Sequence, residues 1–234
     1  MARRWRAFTL MELLTVISII GILAAILTPM IGSAVNSAKK SKARRGLQQI
    51  AMAYVSFSTK GFASELNTCK KANEWAAALA KHEEMNVASM FILSDDYLVE
   101  AEHKLVPKTV VLMKNGTWVI NQDFEKFPLS IVVIAGVASR SPSSTTPIAY
   151  TRGLDNDSGK WRASNGSNGG VYGEEGGFIV FLDGHVEFYA NLTDEKNMLM
   201  NYYTGEKTSK ISEAVNYGAR ALSWTGIDWE AAKN

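Results

Sequence analysis

Phe8 to Ile31, reading FTLMELLTVISIIGILAAILTPMI, constrains this chain more than any other stretch. Glu12 is its one charge, and from Leu13 onward no charge occurs until Lys39. A helix of this length rises about 36 Å at roughly 1.5 Å per residue. A hydrocarbon core is about 30 Å thick, so the segment is long enough to cross it. A buried core helix is usually shorter, and the apolar part of a secretory signal spans only about 7–15 residues. Length therefore favours a membrane-inserted helix.

Glu12 needs its own account. A carboxylate inside an apolar helix costs roughly 2.5–3.5 kcal/mol at the bilayer centre and less near its edge. Either Glu12 sits at headgroup level, or it has a partner and a function. The residue alone leaves both readings open.

Its neighbours carry a resemblance. Arg3, Arg4 and Arg6 form a short basic leader, Ala7 and Phe8 follow, Glu12 stands four residues after the Phe, and Pro29 falls late in the apolar run. This arrangement resembles the prepilin signal of type IV pilins and type II secretion pseudopilins. Ala7 departs from the family, which mostly has Gly there. The resemblance implies cleavage between Ala7 and Phe8 by a prepilin peptidase, methylation of the Phe8 amine, and assembly through Phe8, Glu12 and Pro29. It also implies a partner for Glu12, the freed α-amine of Phe8 on a neighbouring subunit. Physically this is sensible, because an unpaired carboxylate or ammonium is costly in low dielectric and each relieves the other.

The helix should continue past Ile31. Ala43, Leu47, Ile50 or Ala51, and Tyr54 fall at helical spacing and make one apolar stripe. Lys39, Lys40, Lys42, Arg44, Arg45, Gln48 and Gln49 lie mostly elsewhere, as a solvated face or a contact for anionic lipid. Gly61 is a plausible stop. Pro29 lacks a backbone donor, so a kink or an unwound turn is expected there. The resulting division is a leader at 1–7, a transmembrane or filament-core helix at 8–31, its amphipathic continuation at 32–60, and an extracytoplasmic globular domain at 61–234. The fold class is α+β and pilin-like: a long N-terminal helix packed on an antiparallel sheet, with short extra helices.

The formal charge of +2 comes from 25 basic and 23 acidic side chains. Without Arg3, Arg4 and Arg6 the basic count is 22, so the remaining chain is near neutral. A nucleic-acid partner is not expected, since that usually needs a strongly basic face. The leader arginines lie closer to the apolar segment than the Lys39 cluster does, which favours a cytoplasmic N-terminus. The resemblance implies the same, with a single pass through the inner membrane and a periplasmic domain. The single cysteine, Cys69, cannot form an intrachain disulfide. It is either a small semi-buried side chain or a thiol activated by Lys70 and Lys71.

Residues 62–103 read as mixed and helical. Asn73 is expected to cap a helix through Glu84 with Trp75, Leu79 and Ala76 inward, and Ser89–Leu93 reads as a short strand or helix end. His82 and His103 lie among Glu83, Glu84, Glu100 and Glu102 without a metal-spaced pair, so both read as solvated surface. Asn115-Gly116 between β-rich runs signals a hairpin. Leu129–Val137 reads as a central strand, Ser141–Pro147 as a loop and Ile148–Arg152 as a strand. The Gly-, Asn- and Ser-rich segment 153–177 is long enough to be functional or disordered. Trp161 and Tyr172 argue that it packs in part. Asp155, Asp157 and Gly159 have the spacing that opens a calcium loop, but its distant Glu does not follow. No cofactor or metal is otherwise expected; calcium is the possible exception.

In Phe178–Tyr189 a two-residue turn at Asp183-Gly184 would pair Phe181 with Val186 and Ile179 with Phe188. Ile179, Phe181, Val186 and Phe188 would then share one apolar face. Val180, Leu182, His185 and Glu187 would share the mixed one. FLDGHVEF resembles the end of the H-X9-DG prepilin-associated motif, although Gly173 stands where that motif has His. Thr193 is expected to cap a helix from Asp194 to Tyr203, and Ser209 or Ser212 another through Tyr217. Trp224 and Trp229 are expected to dock on the domain.

The functional expectation is a structural subunit, a pseudopilin of a type II secretion-like system. Its partners would be prepilin peptidase, copies of itself and other pseudopilins, an inner-membrane assembly platform and the lipid bilayer. A type IV pilin for adhesion, motility or DNA uptake is the near alternative. A membrane-anchored ligand- or glycan-binding domain, using Trp161 and Tyr172, is the distant one. An enzyme is not expected, because no acid–base pair, nucleophile elbow or phosphate loop occurs.

Overall fold

The computed structural model of the 234-residue chain describes residues 9–82, 85–101 and 105–232. The expected cleavage and methylation positions, Ala7 and Phe8, lie outside the described residues, as do Glu83, Glu84, Glu102 and His103. Helix α1 (Leu10–Thr59) spans 50 residues and is continuous through position 29. Its end is closed by Phe62 N–H on Phe57 O (3.3 Å) and Gly61 N–H on Ser58 O (3.2 Å). The Phe57 and Phe62 rings meet at 5.5 Å beside these bonds. This pairing of two late carbonyls with a hydrophobic clasp is how many helices stop.

The chain divides into two compact units, Met1–Lys42 and Ala43–Asn234. In the first, the described apolar side chains from Leu10 to Val35 are all exposed. In the second, α1 buries the expected stripe of Ala43, Leu47, Ile50, Ala51 and Tyr54, and adds Phe57.

The second unit continues with α2 (Ala63–Thr68), α3 (Ala72–His82), a short 3-10 turn at Ala88–Met90 and α4 (Tyr97–Ala101). The hairpin of β1 (Val111–Lys114) and β2 (Thr117–Ile120) follows, turned at Asn115-Gly116 as expected, and then α5 (Gln122–Glu125). The strands β3 (Ile131–Ala135), β4 (Pro147–Thr151), β5 (Gly177–Phe181) and β6 (Val186–Tyr189) come next. Two short strands, β7 (Leu199–Met200) and β8 (Lys207–Thr208), pair with each other. The described chain closes with β9 (Arg220–Leu222) and β10 (Ile227–Glu230). Six strands form one antiparallel sheet in the order β10-β9-β3-β4-β5-β6, with β3 and β4 innermost.

Both faces of this sheet are covered. Val133, Ala135, Val180 and Val186 pack with α1 residues 43–57 and with Trp75 and Leu79 of α3. Val132, Ile134, Ile179 and Phe181 pack on the other side against Trp161, Leu192, Ile211 and Val215, which lie in loops and short turns. The run Ile131–Ala135 is apolar at every position because neither face of β3 sees water.

Four expectations are corrected. The β5–β6 register is shifted by one residue: Val180 opposes Val186, Phe178 opposes Phe188, and Phe181 N–H donates to His185 O (3.0 Å). The turn therefore holds three residues, Leu182, Asp183 and Gly184, with Gly184 at φ 86° where a side chain is disfavoured. Phe178, Val180, Val186 and Phe188 consequently share one face, and Ile179, Phe181, His185 and Glu187 the other, since a one-residue slip exchanges faces.

Asn73 does not cap α3 but lies inside it, fully buried, donating to Phe124 O (2.7 Å) and Phe127 O (3.1 Å). Glu74 reaches back to Lys70 N–H (2.7 Å), so the helix begins before Asn73. The helix expected at Asp194–Tyr203 is replaced by turns. Asn191 Oδ1 accepts from Thr193 and Asp194, and Asn201 Oδ1 accepts from Tyr203 and Thr204. Asn side chains that bond nearby backbone N–H groups compete with helix in this way. The second C-terminal helix shrinks to one 3-10 turn at Ile211–Ala214, and Trp229 docks as part of the unexpected strand β10.

Candidate functional site: the N-terminal helix and Glu12

The first unit presents apolar side chains all round. Leu14 is 58 % exposed and Leu23 is 53 % exposed, on opposite sides of the helix. A helix apolar on every side belongs in lipid or among other helices. Within the described residues this helix is long and apolar enough to cross a membrane. Its hydroxyls do not spoil that property. Thr15, Ser18, Thr28 and Ser33 donate to backbone carbonyls three or four residues earlier, at 2.7–2.9 Å. Each thereby hides its polar group in its own helix.

Glu12 is the one charged group among these positions, and it too is partnered locally. Its Oε2 accepts from Thr9 N–H (2.9 Å) and from Thr9 Oγ1 (2.8 Å). Thr9 Oγ1 in turn accepts from Glu12 N–H (3.2 Å). This reciprocal pair is a capping box, which satisfies donors that the first helical turn leaves open. The Thr9-x-x-Glu12 spacing just before an apolar run is the sequence signal for it. The reading of Glu12 by charge and depth alone passed over Thr9.

Residues 4–28 match the prokaryotic N-terminal methylation motif. This is the signal of type IV pilin and pseudopilin precursors, and it covers Arg4, Arg6, Phe8, Glu12 and most of the apolar run. The motif supports processing by prepilin peptidase and assembly with pilin-type subunits, and it is a structural signal, not an enzymatic one. It does not distinguish pilin from pseudopilin. No curated protein and no solved structure matches the chain.

The other singled-out residues belong to the second unit. Cys69 is buried, and that burial pushes its thiol up to about 11, with Glu74 and Glu65 acting in the same direction. Lys70 and Lys71 do not activate it. His82 stacks on Phe62 (4.4 Å) and meets Glu65 at 3.2 Å. Asp155 accepts from Ser158 N–H (2.9 Å) and from Arg162 Nη2 (2.6 Å), which with Ser158 Oγ hold its carboxyl down at about 2. Its oxygens are thus committed inside the loop. Among the described residues, no group of three or more His, Cys, Asp or Glu is placed to hold a metal.

Segment 153–177 is ordered by its own bonds. Leu154 and Trp161 pair as a short bridge, and Trp161 is 4 % exposed, so it offers no open ring to a glycan. Gly153 and Gly170 approach so closely that a Cβ on Gly153 would stand 2.2 Å from Gly170 Cα. A buried ion pair that sequence reading missed secures this segment. Arg152 Nη2 meets Asp96 Oδ1 at 2.6 Å, with both side chains essentially inaccessible. Arg152 also donates to Gly169 O (3.1 Å) and Leu129 O (2.7 Å), while Ser130 Oγ donates to Asp96 Oδ2 (2.7 Å).

Proposed function

We propose that the chain is a pseudopilin, a structural subunit of a short filament in a type II secretion-like system. The observation that carries the reading is the exposed apolar segment Leu10–Val35, whose one charge, Glu12, lies within the methylation signal. Subunits wait in the inner membrane, N-terminus inside and globular unit outside the cytoplasm. Cleavage after Ala7 frees the Phe8 amine, and extraction exchanges lipid contacts for helix contacts. The Glu12 carboxylate, capped by Thr9 in the single subunit, then receives the Phe8 amine of a neighbour. A charge buried in low dielectric is tolerable only when paired, so the pair sets the stagger between helices. The single buried Cys69 leaves no disulfide to close a C-terminal region, as surface pilins often have, and so favours pseudopilin over pilin.

Mass analysis of the N-terminal peptide from native membranes tests the processing step. A peptide beginning at Phe8 with one additional methyl group is expected; an intact Met1 overturns the reading. Glu12→Ala is expected to insert normally and to abolish or slow filament assembly, and normal filaments from it would remove the pairing. Deleting the gene should stop export of secreted proteins. Loss of surface fibres with export intact would make the chain a type IV pilin instead.

A further inference from the structure

The face of the second unit that carries no helices holds a cleft of about 340 Å³. That size lies at the low end of the ~300–1,000 Å³ usual for small-ligand sites. Residues from the 153–177 segment, from both sides of β8 and from β10 line it. One wall is aromatic. Tyr203 and Tyr217 stack with ring centres 4.0 Å apart and planes 18° from parallel, and Tyr202 meets Tyr203 edge-on at 4.8 Å. Tyr203 is thus the middle ring of a row, and Tyr217 its outer end. Both remain accessible, Tyr203 at 50 % and Tyr217 at 42 %.

The row is held in place. Tyr203 Oη accepts from Tyr217 N–H (2.9 Å), Tyr203 N–H donates to Asn201 Oδ1 (3.0 Å), and Tyr202 N–H donates to Glu213 O (2.8 Å). A solvent-facing aromatic row fixed by three backbone bonds needs no further ordering to receive a ligand, which lowers the entropic cost of binding. The rest of the lining is mostly polar. Asn156 Oδ1 holds Ser212 N–H (3.0 Å), and Glu213 Oε2 accepts from Thr208 Oγ1 (2.6 Å) while its other oxygen lies 3.9 Å from Lys210 Nζ. Asn201, Ser212, Glu213 and Lys210 contribute polar groups to this lining.

This composition selects a ligand class. Glu213 and Glu230 outnumber Lys210 in the lining, so the cleft lacks the positive excess that a phosphate or nucleotide requires. Its polar lining does not suit an acyl chain. Donors and acceptors facing an aromatic row match a ligand with hydroxyls around its edge and C–H groups on its face. We infer that the cleft binds a neutral carbohydrate, one sugar ring lying on Tyr217 with its hydroxyls reaching Asn201, Ser212 and Glu213. The filament reading neither requires this site nor suffers from its loss.

Saturation-transfer NMR on the full chain, held in a detergent without a sugar headgroup, provides the test. The probes are glucose, galactose, N-acetylglucosamine and the β-1,4 dimers of glucose and of N-acetylglucosamine. At least one should show transfer to its ring protons. Tyr217→Ala should weaken that probe tenfold or more, and Tyr217→Phe should retain it. Ala232→Trp, which adds bulk to the cleft lining without removing a stacking ring, should abolish binding even if Tyr217→Ala fails to fold. Absence of transfer from every probe overturns the inference. So does binding that Ala232→Trp leaves unchanged.

Discussion

The two parts of α1 make opposite use of one helix. From Leu10 to Val35 its apolar side chains are exposed on every side, and their polar neighbours bond within the helix. From Ala43 to Phe57 one stripe is buried against the sheet, while Met52 (59 %) on another side stays exposed. Both parts are helical; what differs is the solvent each part is built for. In the first part the helix completes itself and leaves its packing surface for lipid or other copies. In the second, packing is settled inside the unit.

Three measurements sharpen or break this contrast, taken as melts of the full chain in detergent with near-UV circular dichroism reporting the globular unit. Arg152→Leu leaves Asp96 buried and uncompensated and should cost about 3–5 kcal/mol. A negligible change would mean that water reaches the pair and that segment 153–177 is fastened elsewhere. Leu47→Ala should cost about 2–5 kcal/mol through the cavity it leaves, whereas Leu23→Ala should leave the same transition unmoved. Equal effects of the two would erase the distinction between the two parts of α1.

The smallest effect concerns Asp155. Its folded-state value of about 2 lies below the ordinary carboxylate range near ~3.9, so its contribution is present above that range and is lost as pH falls through about 2. Asp155→Asn should therefore lower Tm by a few degrees or less at pH 6 and by much less near pH 2. The same melts with calcium and then with a chelator should coincide, because Arg162 and Ser158 already occupy Asp155. A chelator-sensitive Tm would show that calcium displaces Arg162.

Much of the architecture was legible in the residues themselves. Unbroken apolarity marked the first part of α1, helical spacing marked the second, and Asn115-Gly116 marked the β1–β2 turn. Continuous Val, Ile and Ala marked β3 as an inner strand. Register was not legible, since Asp183-Gly184 suits a two-residue or a three-residue turn and only the packing of Val180 and Val186 on α1's side decides between them. The short strands β9 and β10 escaped because β9 is only three residues long and β10 is mostly exposed, so neither shows an alternating apolar pattern. At the candidate site, Glu12 was found by its charge, while the Thr9 half of its capping box needed the spacing rule. Asp96 and Arg152 stand 56 positions apart, and no local pattern announces that they meet.

The fastening of segment 153–177 also bears on how the chain can be cut or extended. Its flanks are tied through Arg152, Gly170 and the Leu154–Trp161 bridge, while positions 164–168 are exposed. A protease should find its opening there, and exposed loop tips of this kind also tolerate insertions. The two fragments would stay associated after such a nick, because the strands before the break, β3 and β4, are held in one sheet between β9 and β5, which both follow it. An epitope placed at this tip should therefore label the assembled protein without loosening its fold.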